Sequence, residues 1–159
     1  LEFALNKQIS IEMRNFITYE RLSCFFRNAS KGFTNVADYF RKQADEELSH
    51  ARMFMDYQSM RGGTVNSFTV PATWVADLER SSSPCEDAFH LALKLEKDTY
   101  FNLLNLHKLS TQDPSFQDFI EKSLHEQLDA HKNINDKIMQ LQGAKKNIGE
   151  YLYEINASS

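Results

Sequence analysis

Glu47 and His50 stand three residues apart in a stretch of sequence with strong helical periodicity. Residues i and i+3 of a helix project from nearly the same side, so this carboxylate and imidazole can bind one metal ion. Three other helical stretches each carry one polar residue in an otherwise apolar stripe: Glu12, Glu96 and Gln127. Hard oxygen donors with a single nitrogen suit iron, and side chains from facing helices can hold a pair of such ions. The sequence therefore predicts a buried site for two iron ions.

Four long helices are predicted to position these residues, because apolar side chains recur at alternating steps of three and four in four stretches. Gly62-Gly63 ends the second helix, and a proline follows each of the predicted N-caps of the third and fourth, Ser83 and Asp113. The predicted stretches are Leu5–Phe26, Val36–Tyr57, Ser83–Ser110 and Asp113–Gly143, with a short fifth helix around Lys146–Ile155.

The polar residues fall near the middle of their helices, so they reach the same height whichever way each helix runs. A buried carboxylate without a partner is costly, and a divalent metal is the simplest remedy when several converge. Taken singly, each glutamate could instead face solvent, and His50 could bond to backbone at the edge of the core. Tyr19, one turn beyond Glu12, either packs or donates a hydrogen bond to a ligand. The coincidence of height favours the metal site.

A connection of roughly twenty residues separates the second and third predicted helices and is long for a compact domain. Crossing the length of a bundle to join two parallel helices would explain that length. Its composition, with Thr64, Val65, Thr69 and Val70 before Pro71, suits extended chain rather than helix. The predicted fold is therefore all-α, a four-helix bundle with a long crossover between helices 2 and 3.

The composition of the chain limits its domain count and the kinds of partner that it is expected to bind. The 159 residues fit one domain, 1–159, and 42% hydrophobic content can build a core. The net charge of −4, without a cluster of Lys and Arg, predicts no nucleic-acid or membrane partner. No apolar run reaches the length of a membrane span. The two cysteines form neither a disulfide framework nor a metal-binding spacing.

The sequence resembles the animal ferritins over essentially its whole length, which implies a ferritin-like four-helix bundle. Only one Glu-x-x-His motif is intact, whereas the di-iron pattern of such bundles has two. The second position carries Gln127-Leu128-Asp129-Ala130, which resembles true ferritins rather than haem-containing bacterial relatives or di-iron oxygenases. The matching stretches are Asn6-Lys7-Gln8-Ile9, Asp45-Glu46-Glu47, Tyr57-Gln58 with Arg61-Gly62-Gly63, Leu95-Glu96-Lys97, Leu106-His107-Lys108-Leu109, His125-Glu126-Gln127 and Glu150-Tyr151-Leu152.

The resemblance implies an H-type ferroxidase centre, which oxidises Fe(II) to Fe(III) with dioxygen. Glu12, Glu47 and His50 are the implied ligands of the first iron. The implied ligands of the second iron are Glu47 as a bridge and Glu96, with Gln127 nearby and Glu46 as a mobile accessory. A neutral glutamine would hold Fe(III) less tightly than a further carboxylate, which predicts that the ferric product leaves the site.

The family assembles as a hollow shell of twenty-four subunits that stores ferric mineral, so a homo-oligomer is expected, with co-assembly with another ferritin subunit left open. In relatives iron enters through three-fold pores, whose acidic lining corresponds to Asp118 and Glu121. Asp118 also suits the start of a helix, whatever its role in a pore. Ser49 and Arg52 replace carboxylates that many relatives use for mineral nucleation. A cytoplasmic location is expected, with a secreted or vesicular form also open.

Two alternatives remain beside ferroxidase and iron store. A light-chain-like subunit would build shells but oxidise little iron, and it would require losses among the centre residues, none of which is seen. A long-chain cytokine bundle also uses long crossovers, but it would not need core carboxylates at one height.

Overall fold

The structure is a computed structural model that describes residues 1–69, 76–145, 153–155 and 157. Four long helices and one short 3-10 helix make up the described secondary structure, and the described ranges contain no strand. The long helices are α1 (Glu2–Arg27), α2 (Thr34–Met60), α3 (Pro84–Leu109) and α4 (Pro114–Lys145); the 3-10 helix is Ala76–Arg80. The predicted all-α bundle is confirmed.

Two apolar clusters fill the ends of the bundle and fix the direction of each helix. The upper cluster joins the end of α1 to the start of α2, the start of α3 and the end of α4; its larger members are Tyr19, Phe26, Phe40, Phe89 and Ile134. The lower cluster joins the opposite ends of the same helices: Leu5, Ile9, Phe54, Leu103, Leu106, Phe116 and Ile120. Helices α2 and α3 therefore run parallel, as the crossover between them predicts, and α1 and α4 run against them.

One predicted helix end and one predicted capping contact need correction. Helix α4 does not end at Gly143 but continues to Lys145. A glycine inside a helix costs only about 1 kcal/mol, and the longer helix lets Lys145 bind the Glu86 carboxylate at the start of α3. Ser83 is the N-cap of α3 but makes no capping hydrogen bond. Its hydroxyl instead accepts a bond from Lys145 Nζ at 2.6 Å.

The other predicted cap is present, because Asp113 Oδ1 accepts a bond from the Phe116 N–H at 3.0 Å. The 3-10 helix in the crossover was not predicted, since the composition suggested extended chain throughout. Leu78 explains it: this residue is buried in the upper cluster while its charged neighbours Asp77 and Glu79 stay exposed. Burial of one apolar residue thus overrides the local preference of the segment.

The predicted fifth helix, Lys146–Ile155, lies partly outside the described residues, which omit 146–152. Residues 153–155 are helical. The Tyr153 ring packs against Phe89 at 5.7 Å between centroids. Both oxygens of Glu154 accept backbone N–H groups at the start of α2, from Asn35 at 2.6 Å and Val36 at 3.1 Å. The carboxylate thereby caps a helix that has no side-chain cap of its own.

None of the helices in the described part of the chain combines the length and the apolarity needed to cross a membrane. Cys24 is exposed and Cys85 is buried, and both are free thiols. The cysteines therefore contribute no crosslink to the bundle.

Candidate metal centre

A layer of buried polar residues separates the two apolar clusters halfway along the bundle. We call it the polar layer, and all four long helices contribute to it. Its members are Gln8, Glu12, Asn15, Glu47, Glu96, Thr99, Asn102 and Gln127. Uncompensated burial of so many polar groups would be unfavourable, so the contacts within the layer decide what it can do.

Three side chains of the layer and its edge converge on one point. Glu12 of α1 and Glu47 and His50 of α2 each offer one ligand atom, and these atoms lie within 4.8 Å of one another. His50 Nδ1 is 3.8 Å from Glu12 Oε2. The i, i+3 spacing of Glu47 and His50 turns both toward α1, as the sequence predicts. Two carboxylates and an imidazole at this separation can bind one divalent ion.

Each of the three buried carboxylates accepts a hydrogen bond from a neutral side chain of α1. Gln8 Nε2 donates to Glu12 Oε1. Asn15 Nδ2 donates to Glu47 Oε2 at 3.2 Å, and the Tyr19 hydroxyl donates to Glu96 Oε1. Of the two roles predicted for Tyr19, packing or donating a hydrogen bond to a ligand, the structure shows the hydrogen bond, and its acceptor is Glu96. One oxygen of each carboxylate is held in place by these bonds.

Three buried oxygens of the polar layer have no hydrogen-bond partner among the described residues: Glu12 Oε2, Glu96 Oε2 and Gln127 Oε1. A buried acceptor without a donor costs about 1–3 kcal/mol, and more if it is charged. A cation would satisfy all three, and hard oxygen donors fit iron. The residues present therefore suit a metal-binding layer better than a purely structural one.

Burial dominates the electrostatics of the layer. It raises the pKa of Glu12 to about 7 and, together with the charge of Glu47, raises the pKa of Glu96 to about 8. Burial and the neighbouring Glu12 raise the pKa of Glu47 well above its usual value. The raised pKa values leave these carboxyls partly or largely protonated at neutral pH, so metal binding there would release protons.

His50 is affected in the opposite sense, because burial lowers its pKa despite the nearby Glu126 and Glu46. A lowered pKa keeps the imidazole neutral near pH 7, which is the form that binds metal ions.

A cavity of about 240 Å³ opens from the layer toward the groove between α2 and α4; its lining is Gln43, Glu46, Glu47, His50, Glu96, Glu126, Gln127 and Ala130. Glu46 is exposed at its mouth, where Gln43 Nε2 donates to it at 3.3 Å. Glu126 Oε2 lies 3.6 Å from His50 Nε2. The cavity places an acidic entrance beside the buried ligands.

The remaining predicted residues lie apart from the layer. Asp118 and Glu121 are exposed on the first turns of α4, and Glu121 Oε1 lies 2.9 Å from His107 Nε2 of α3. Ser49 and Arg52 are exposed on α2. A single chain does not contain a three-fold contact, so the pore role of the acidic pair stays a prediction.

Sequence reasoning missed five polar neighbours of the centre: Gln8, Asn15, Thr99, Asn102 and Glu126. The spacing along α1 could have indicated two of them, Gln8 and Asn15. Gln8, Glu12, Asn15 and Tyr19 follow one another at steps of four, three and four, which places them on one helix face. Phe16, the apolar residue four positions after Glu12, is only half-buried, so the apolar periodicity of α1 does not indicate the face that carries Asn15.

Comparison with known proteins finds similarity over most of the chain. A family model described as a ferritin-like domain matches residues 3–144. The chain is 37% identical over 163 residues to the middle subunit of ferritin from Aquarana catesbeiana, and 35% identical over 156 residues to the ferritin-2 heavy chain from Schistosoma mansoni. Each of these alignments covers 96% of this chain and 88% of the relative. The chain is also 35% identical over 157 residues to chloroplastic ferritin-1 from Brassica napus, of which it spans 61%.

Proposed function

The chain belongs to the ferritin family, and from that premise we propose that it stores iron and oxidises Fe(II) with dioxygen at a di-iron centre in the polar layer. The observation that carries the proposal is the convergence of Glu12, Glu47 and His50 within 4.8 Å. The unpartnered oxygens of Glu96 and Gln127 support a second iron position. The single domain 1–159 would contain the whole centre.

Glu47 is the proposed bridge between the two iron positions. It shares the three-residue cluster with Glu12 and His50, and its charge also raises the pKa of Glu96. One carboxylate close to both sets of ligands can hold two ions at the roughly 3.5–4 Å separation of paired-metal sites. Glu46, exposed at the cavity mouth, would help iron to enter and leave.

Two ferrous ions held together can each give one electron to the same dioxygen molecule. With two protons, that two-electron reduction yields hydrogen peroxide and leaves two ferric ions. Gln127 is neutral and offers one carbonyl oxygen, so it would bind Fe(III) less tightly than a carboxylate would. We infer that this neutral ligand favours release of the ferric product from the centre into storage.

Storage requires an enclosed space, and the proposed assembly is a shell of twenty-four copies, alone or mixed with another ferritin subunit. Asp118 and Glu121 would line its three-fold pores and attract Fe(II) by their charge. Ser49 and Arg52 replace two carboxylates expected on the mineral side, which would weaken nucleation there. A cytoplasmic location is also proposed, by similarity to the animal ferritins.

Glu47→Ala tests the proposed reaction. It removes the bridge and one buried ionisable group, so rapid iron oxidation should fall by at least roughly 100-fold, while the fold persists. Stopped-flow oxygen consumption after Fe(II) addition measures the rate. Glu20→Ala is the matched control, since Glu20 pairs with Arg41 at 3.0 Å outside the centre. A Glu47→Ala variant as fast as the control would refute the centre, and a slow parent would favour a light-chain-like subunit.

A further inference from the structure

Asn15 is a buried amide in the middle of α1 whose two N–H groups are both used. Its Nδ2 donates to Glu47 Oε2 on α2 at 3.2 Å and to Thr99 Oγ1 on α3 at 2.9 Å. The side chain is fully buried. One amide therefore spans three helices and ends on the proposed bridging carboxylate.

The oxygen of the same amide is held from the other side. Asn15 Oδ1 accepts bonds from Arg14 Nε at 3.3 Å and from Arg14 Nη2 at 3.1 Å. Arg14 Nη1 in turn lies 3.8 Å from Asp98 Oδ2. A guanidinium can only donate, and an ionised carboxylate can only accept. Rotating the amide by 180° would therefore oppose donor to donor and acceptor to acceptor, so Asn15 has one favourable orientation.

Thr99 has one favourable orientation as well. Its hydroxyl donates to the Leu95 carbonyl one turn earlier at 3.1 Å. With its only hydrogen used, the Thr99 oxygen meets Asn15 as an acceptor. The bonds form an ordered chain from the α3 backbone through Thr99 and Asn15 to Glu47.

Glu47 needs such a restraint more than Glu12 does. The terminal torsion of a glutamate is broad, so an unrestrained carboxylate turns easily. Glu12 has a donor one turn away on its own helix, Gln8. Glu47 projects from α2, and its bond from Asn15 comes from a different helix. Because Glu47 faces both proposed iron positions, its orientation affects the ligand geometry of both.

We propose that Asn15 is a positioning residue for the iron centre, which orients the Glu47 carboxylate and is itself oriented by Thr99 and Arg14. The inference rests on the proposed function, since it assigns a role within that centre. Asn15 touches neither iron nor dioxygen in this account. Partners of this kind typically change metal affinity or activity by about 10- to 100-fold.

Cobalt titration of the assembled, metal-free protein tests the proposal without any oxidation step. The absorption spectrum of bound Co²⁺ reports the arrangement of its ligands, and the titration gives affinity and stoichiometry. Asn15→Leu removes both N–H groups at similar volume and should weaken Co²⁺ binding by about 10- to 100-fold. Thr99→Val leaves Asn15 in place but removes its second acceptor, so a smaller loss, with a changed spectrum, is expected.

Two variants test whether weaker Co²⁺ binding results from a general loss of packing in the bundle rather than from the lost hydrogen bond. Thr99→Ser keeps the hydroxyl and should restore the affinity and spectrum of the parent. Thr18→Val is the matched control, because Thr18 is also buried and donates to the carbonyl four residues earlier, that of Arg14, at 2.8 Å. It should bind Co²⁺ as the parent does.

The outcomes separate this inference from the proposed function. A parent that binds two Co²⁺ per subunit, with Asn15→Leu and Thr99→Val unchanged, leaves the centre standing and overturns the role of Asn15. A Thr18→Val loss equal to that of Thr99→Val also overturns it. A parent that binds no Co²⁺ refutes the proposed centre, and the role of Asn15 with it.

Discussion

The polar layer and the upper cluster lie next to each other in the same four helices but differ in the side chains that they bury. In the upper cluster, Phe40 packs against the rings of Tyr19, Phe26, Tyr39 and Phe89 at 5.2–6.0 Å between centroids. In the polar layer, three buried oxygens have no partner in the described part of the chain. The upper cluster stabilises the fold. The polar layer lowers the stability of the metal-free chain, but its side chains are available as metal ligands.

Removing a ring from the upper cluster should give the largest effect on stability. Phe40→Ala leaves a cavity among four aromatic rings and should lower the free energy of unfolding by about 3–5 kcal/mol. Thermal unfolding at fixed protein concentration measures this change, because assembly makes the melting temperature depend on concentration. Co²⁺ stoichiometry should remain that of the parent. Loss of stoichiometry without loss of stability would reverse the proposed division between cluster and layer.

A substitution in the polar layer should instead stabilise the metal-free protein. Glu96→Gln removes an ionisable group whose pKa is raised to about 8, while an amide oxygen can still accept the Tyr19 hydroxyl. At pH 8 the metal-free variant should be more stable than the parent by on the order of 1–3 kcal/mol, since one pKa unit corresponds to about 1.4 kcal/mol. Rapid iron oxidation should be lost. A less stable metal-free variant would show that Glu96 is satisfied without a cation.

The pH dependence of stability should also distinguish the two regions. The folded pKa values of Glu12, about 7, and Glu96, about 8, exceed the ordinary glutamate pKa of 4.5. The folded state therefore binds more protons above pH 4.5, and the contribution of these groups to stability is lost as pH rises through 7 and 8. His50, with its lowered pKa, acts in the opposite direction.

Between pH 5.5 and 8, the two carboxyls should cost the metal-free protein about 5 kcal/mol, of which Glu12 contributes about 2 and Glu96 about 3. Melting temperatures in the presence of a chelator measure the trend. The melting temperatures of a double variant, Glu12→Gln with Glu96→Gln, are subtracted from those of the parent. The difference reports the contribution of the two carboxyls, because His50 is present in both proteins. A difference that does not change with pH would contradict the raised pKa values.

The smallest effect is expected far from both regions, at the start of α4. Asp118→Asn with Glu121→Gln should slow iron oxidation a few-fold at low ionic strength, because the proposed role is electrostatic attraction. The slowing should shrink as salt rises, since screening weakens the attraction of the parent. Initial rates in a salt series measure this. His107→Gln removes the 2.9 Å contact to Glu121 without removing acidic charge and serves as the control. Equal rates at low salt would mean that iron enters elsewhere.

Sequence periodicity predicts the bundle well because burial of one face dominates helix packing. The parallel pair α2 and α3 followed from the length of the crossover alone. The misplaced end at Gly143 and the unpredicted 3-10 helix have one cause: a tertiary contact, of Lys145 or of Leu78, overrides a local preference.

The centre was only half visible in the sequence. Glu12, Glu47 and His50 were found because a charged residue in an apolar stripe is conspicuous, and the structure brings them together. Asn15 was missed because a lone amide in a helix predicts no particular partner until the neighbouring helices are placed. Hydrogen-bond networks across helices are fixed by packing, which spacing along one helix does not encode.

The central claim is that the polar layer binds a pair of iron ions. Anomalous scattering at the iron edge, from crystals of the metal-free protein soaked anaerobically with Fe(II), tests it most directly. Two peaks are predicted in the layer, one among Glu12, Glu47 and His50 and the other between Glu47, Glu96 and Gln127. Iron bound only elsewhere, or one peak with Glu96 and Gln127 unliganded, would contradict the paired centre.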